Sequence, residues 1–111
     1  MAPLFTELAD QWRLSVSDPV VTRVLIDWAP TLQVAIPDGL LEIKVEAPFV
    51  VSAESATLEL EPAGDPQLLG PALAVVRKRL HSVSAFKNGR LDLVFEGGVV
   101  WRVDPSPLFE A

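Results

Sequence analysis

The sequence predicts an α+β fold: a mostly antiparallel, curved sheet built from two β-meander repeats, with a helix between them and a short helix at the N-terminus. Three observations predict it. Apolar residues recur at period two in Leu91, Leu93 and Phe95 and again in Val99, Trp101 and Val103, with Gly97-Gly98 between the runs. That is the pattern of a hairpin with one buried face. The same spelling occurs earlier, in Leu32, Val34 and Ile36, then Asp38-Gly39, then Leu41, Ile43 and Val45. Between the two stretches, a segment opening at Pro71 carries Leu73, Val76 and Leu80 at helical spacing. The chain of 111 residues reads as one domain, 1–111, with repeat-like halves at 20–47 and 80–105.

Taken in order, Pro3 to Trp12 places Phe5, Leu8, Ala9 and Trp12 on one helical stripe, which predicts a docking helix. Arg13 to Ser17 reads as a short edge strand before the Asp18-Pro19 break. Val20 to Trp28 is dense in β-branched residues and predicts a strand. Ala29-Pro30 turns it into Thr31–Ile36, and Pro37-Asp38-Gly39 turns again into Leu40–Glu46. Ala47-Pro48 must bend the chain, since proline cannot donate to a ladder. Phe49–Ala53 and Ala56–Glu61 then form a further hairpin, with Leu58 and Leu60 inward and Thr57, Glu59 and Glu61 outward. In the helix, Pro71 takes the first position, where its missing N–H costs nothing, and Arg77, Lys78 and Arg79 complement the dipole of the last turn. Asn88-Gly89 predicts a two-residue type I′ turn with both residues at positive φ.

Composition narrows the chemistry. There is no cysteine, which removes disulfides, thiolate metal sites and cysteine nucleophiles. Half the residues are hydrophobic, yet charge or proline interrupts every run before it reaches the length of a membrane span. The N-terminus has no basic region ahead of an apolar one, so no signal peptide is read there, and a cytoplasmic address is expected. The net charge of −6 divides into −8 over residues 1–65 and +2 over residues 66–111. An acidic half facing a mildly basic half can steer a partner or favour head-to-tail self-association.

No catalytic constellation is legible. His81 is the only histidine, so neither a two-histidine metal site nor a His-x-x-x-His motif exists. Ser82 and Ser84 neighbour it but lie in no nucleophile elbow, which leaves His81 as a surface residue at a strand entry. Glu42 and Glu46, and Glu59 and Glu61, share outward strand positions, where carboxylates are ordinarily just solvated. Gly97-Gly98 is a hairpin turn rather than a phosphate-cradling loop. Arg77, Lys78, Arg79, Arg90 and Arg102 offer contacts to phosphate, but the overall acidity argues against nucleic acid. No cofactor, metal, membrane or nucleic-acid partner is expected.

The run from Gly89 to Pro105, followed by Phe109-Glu110-Ala111, resembles an uncharacterised bacterial family of small α+β domains of unknown function. The likeness extends over residues 20 to 111 and includes Pro37-Asp38-Gly39 and Pro48-Phe49. The chain departs from the pattern at Gly97, where an acid is usual, and in stopping at Ala111, ahead of a closing tryptophan. The resemblance implies a fold and no chemistry; by analogy, some small acidic proteins of this build are immunity partners of toxins.

One signal remains. Leu25, Ala35, Leu40, Val50, Phe86, Val94 and Val100 occupy positions expected on the wet faces of strands, where polar residues are the rule. Trp101 belongs to the core series, whereas Trp12 and Trp28 end elements and suit core or rim packing, with an interface anchor as the alternative. The expectation is a non-catalytic interaction module that forms a homodimer and can hold a protein partner, with Trp28, Phe86, Val94 and Val100 as candidate interface residues. The alternative is a small-ligand-binding protein or enzyme with a pocket inside a curved sheet.

Overall fold

A computed structural model describes residues 5–16, 18–26, 29–37, 39–53, 56–62 and 64–105. Ten strands dominate it: β1 (Phe5–Glu7), β2 (Gln11–Leu14), β3 (Val20–Ile26), β4 (Pro30–Ile36), β5 (Gly39–Lys44), β6 (Phe49–Ala53), β7 (Ala56–Leu60), β8 (Leu80–Phe86), β9 (Leu91–Phe95) and β10 (Val100–Val103). They form a seven-stranded sheet in the order β1-β2-β8-β9-β10-β6-β7 and a three-stranded sheet in the order β3-β4-β5. Every pairing is antiparallel. The expected α+β fold is therefore overturned: the protein is nearly all β, with two sheets in place of one.

Both predicted meanders form, but each enters a different sheet. β3-β4-β5 makes the small sheet by itself, and β8-β9-β10 makes the middle of the large one. Their inner faces join one core, in which Val21, Leu32 and Val34 of the small sheet cluster with Val83, Leu93, Phe95 and Trp101 of the large sheet. Trp101 sits between Phe49, at 4.9 Å between ring centroids, and Phe95, at 5.4 Å. Burying aromatics of this size dominates the energetics of a small core. One sheet thus covers the other, which is the role the sequence reading gave to a helix. Ala47-Pro48 lies where the chain leaves β5 and crosses to β6 in the other sheet.

Among the described residues, the single helical segment is a 3-10 helix over Pro66–Val75, five residues upstream of the predicted start. Asp65 caps it, its Oδ1 accepting from the N–H of Gln67 at 2.9 Å. Pro71 falls inside, with no N–H to give to the preceding turn, which disfavours a continuous α-helix. The buried residues are Leu69, Ala72 and Val75, spaced by three as a helix of three residues per turn requires. Leu73, predicted buried, is exposed. The segment packs against β3.

Arg77, Lys78 and Arg79 lie beyond the helix rather than in its last turn. Arg77 takes a φ of +70°, and this stretch is stitched to the start of β3. The N–H of Arg77 donates to the carbonyl of Val21 at 2.6 Å, and the N–H of Val21 donates to that of Lys78 at 2.9 Å. The basic run therefore joins the two sheets instead of complementing a dipole.

The described part of the predicted N-terminal helix is a hairpin. Phe5 pairs with Leu14 and Glu7 with Trp12. β2 is not an edge strand either, because β1 flanks it on one side and β8 on the other. The Asn88-Gly89 turn is also revised. Gly89 has a φ of +100° but Asn88 does not share a positive φ. The N–H of Phe86 donates to the carbonyl of Arg90 at 2.7 Å, which encloses three residues, and the N–H of Gly89 donates back to Phe86 at 2.9 Å. This is a type I turn closed by a glycine bulge, the standard alternative for a three-residue loop.

Candidate interaction face

Apart from the bulge between Leu80 and Ser82, side chains of the large sheet alternate between two faces. The inner row runs Val83, Leu93, Trp101, Val51, Leu58 across five strands, and all but Leu58 are buried. The small sheet and the 3-10 helix join the core on this side. The outer face is consequently set by the residues between them.

Two outer rows follow from the register. One reads Thr6, Arg13, Ser84, Asp92, Arg102, Val50, Glu59 across all seven strands. The next reads Ser82, Val94, Val100, Ser52, Thr57. Val94 and Val100 are thus direct cross-strand neighbours, both half-buried, at the middle of the sheet. A depression of about 280 Å³ adjoins them, lined by Val50, Ser52, Val100, Arg102 and Asp104.

The polar row is organised around Asp92, whose side chain is only 17% exposed. The Nε of Arg90 stands 3.3 Å from its Oδ1 and the Nε of Arg102 stands 3.6 Å from the same oxygen. These are ion pairs by distance, yet neither is aligned as a hydrogen bond. This oxygen is held by charge between two guanidinium groups and accepts no hydrogen bond from either. The Arg90 guanidinium also lies over the Phe86 ring, 4.3 Å from its centroid, so this aromatic carries a cation on its face. At the β2 end, Arg13 donates to the Oε1 of Gln11 at 3.3 Å.

The structure brings together only some of the predicted interface residues. Val94 and Val100 touch across a strand pair. Phe86 shares their face but is separated from them by the Asp92 row and lies beneath Arg90. Trp28 lies outside the described residues. The seven apolar residues expected on wet faces divide between opposite sides of the protein: Val50, Phe86, Val94 and Val100 on the large sheet, and Leu25, Ala35 and Leu40 on the small one. Trp12 stands on β2, 43% exposed, with the Lys87 Nζ 5.8 Å from its ring centroid.

The residues weighed for chemistry are dispersed. His81 is exposed at the bulge between Leu80 and Ser82, while Ser82 is half-buried and Ser84 buried on the outer side of the sheet. Glu42, on the small sheet, accepts from the Nε2 of Gln33 at 3.2 Å, and Glu46, just past the end of β5, faces Lys44 at 3.8 Å. Glu59 and Glu61 lie along β7 and its end. Among the described residues, no group of three or more histidine, aspartate or glutamate side chains is placed to hold a metal ion. No helix among them is long and apolar enough to cross a membrane. Asp92 escaped the sequence reading, although the alternation Arg90-Leu91-Asp92 and Arg102-Val103-Asp104 marks these charges as one face.

The fold and this face define a small two-sheet β protein with a broad sheet surface of mixed polarity turned outward. The chain belongs to a family of unknown function, DUF6188, whose model matches residues 12–111. The match begins in β2, upstream of the resemblance drawn from the meanders. No curated protein and no solved structure matches the chain.

Proposed function

We propose that the protein is a non-catalytic protein-interaction module that self-associates through the outer face of its large sheet. The observation that carries this reading is the Val94–Val100 pair at the centre of that sheet, on the side opposite the core. Half-buried valines flanked by Ser82 and Ser52 form a flat, small-residue centre, and Arg90, Asp92 and Arg102 supply a charged border. This is the arrangement of an apolar interface core inside a polar rim. Covering a few hundred Å² of apolar surface at about 25 cal/mol per Å² stabilises an assembly by several kcal/mol, enough to offset part of the lost translational and rotational freedom. A cytoplasmic setting belongs to the same reading.

Val94→Asp tests the proposal, with Leu40→Asp as its counterpart on the small sheet, where Leu40 is 63% exposed. Light scattering at micromolar concentration is expected to give a dimer for the wild-type chain and for Leu40→Asp, and a folded monomer for Val94→Asp. A dimer lost in Leu40→Asp and kept in Val94→Asp moves the interface to the other sheet and overturns the proposal.

A further inference from the structure

Resting on that reading, we infer that the outer face is self-complementary: two copies pack face to face about a two-fold axis parallel to the strands and midway between β9 and β10. Such an axis exchanges β9 with β10, β8 with β6, and β2 with β7, and leaves β1 beyond the edge of the partner's sheet. In the charged row it sets Asp92 against the partner's Arg102 and Arg13 against the partner's Glu59, with Ser84 against the partner's Val50. In the adjacent row it sets Val94 against the partner's Val100 and Ser82 against the partner's Ser52. Opposite charges meet at every charged position of the row, and the apolar pair meets itself.

Neighbouring alignments fail on the same residues. Moving the axis one strand spacing toward β8 brings Arg13 against the partner's Arg102. Moving it one spacing toward β6 brings Asp92 against the partner's Glu59. An axis along the row itself stacks each charge on its own copy. Like charges set face to face carry a penalty that selects against these arrangements. Asp92 and Arg102, already 3.6 Å apart within one chain, would join the partner's pair in a four-charge network of alternating sign. Packed sheets are rotated by about 30°, which displaces the outer Arg13–Glu59 pair by roughly 6 Å, within reach of an arginine side chain.

Arg13 and Glu59 provide the test, because both are exposed and they stand on strands five places apart within one chain. Sedimentation equilibrium is run on R13E, on E59R, on an equimolar mixture of the two, and on the double variant R13E/E59R. Each single variant places two like-charged pairs in its homodimer, and its dissociation constant is expected to rise about tenfold. The mixture restores wild-type affinity as a heterodimer, and the double variant restores it as a homodimer. Single variants that dimerise like the wild type, while Val94→Asp remains monomeric, overturn this axis and leave the proposed interface standing. Single variants that weaken without rescue in the mixture overturn the pairing. A wild-type chain that stays monomeric removes the interface and the axis together.

Discussion

At Gly89, a φ of +100° and a close neighbour act on the same atom. A Cβ built there would stand 3.0 Å from the Cβ of Pro105, so any side chain meets both backbone strain and a clash. Gly89→Val is expected to lower stability by about 2 kcal/mol or more, read as a shifted urea midpoint with an unchanged slope. Gly98→Ala is the comparison: its φ is +84°, but nothing lies within 4 Å of the added carbon. It should cost less, about 1 kcal/mol. The need for glycine in these turns was legible from sequence because it is a local property of the chain. The loop length at Asn88 was not, because it depends on which backbone groups the strands bring together, here Phe86 and Arg90. Asn88 still serves the turn, its Oδ1 accepting from the N–H of Arg90 at 3.0 Å, which is the role asparagine commonly takes without adopting positive φ.

The two elements that departed from expectation did so for related reasons. Phe5, Leu8 and Trp12 fit a helical stripe, but Phe5, Trp12 and Leu14 fit the alternation of a hairpin equally well. A stretch this short cannot separate the two periods, and the open edge of β8 decides in favour of strands. In the helical segment, the expected stripe Leu73, Val76 and Leu80 follows a spacing of three and four, but the 3-10 helix ends at Val75, Val76 is extended and Leu80 opens β8. Pro71 lies inside the helix and disfavours a continuous α-helix, and the tighter 3-10 turn places Leu69, Ala72 and Val75 on the core instead. Substitutions separate the two registers. Ala72→Leu is expected to lower stability by about 1–3 kcal/mol through overpacking, whereas Leu73→Ser should change it by less than about 0.5 kcal/mol. Thermal or urea unfolding of both variants checks this. An α-helix with Leu73 inward would reverse the order.

Across the whole molecule, both meanders were readable, since alternation in Leu32 to Val45 and in Leu91 to Val103 specifies strand and face directly. What covers each face was not, because period two says which side is apolar and nothing about the layer laid on it. The sheets cover each other, so the excess of apolar residues that had suggested one two-sided sheet divides into two outer faces. Only the larger of these carries paired valines beside a row of alternating charge. Sequence separation hid that row: Arg13, Asp92, Arg102 and Glu59 are aligned only by the strand order β2-β8-β9-β10-β6-β7.

Sedimentation equilibrium of the wild-type chain at micromolar concentration tests the central claim most directly. Association through the outer face predicts a species of twice the 12.1 kDa chain mass, dissociating as salt rises because the charged row contributes to it. A single 12.1 kDa species at every concentration and salt would contradict the claim.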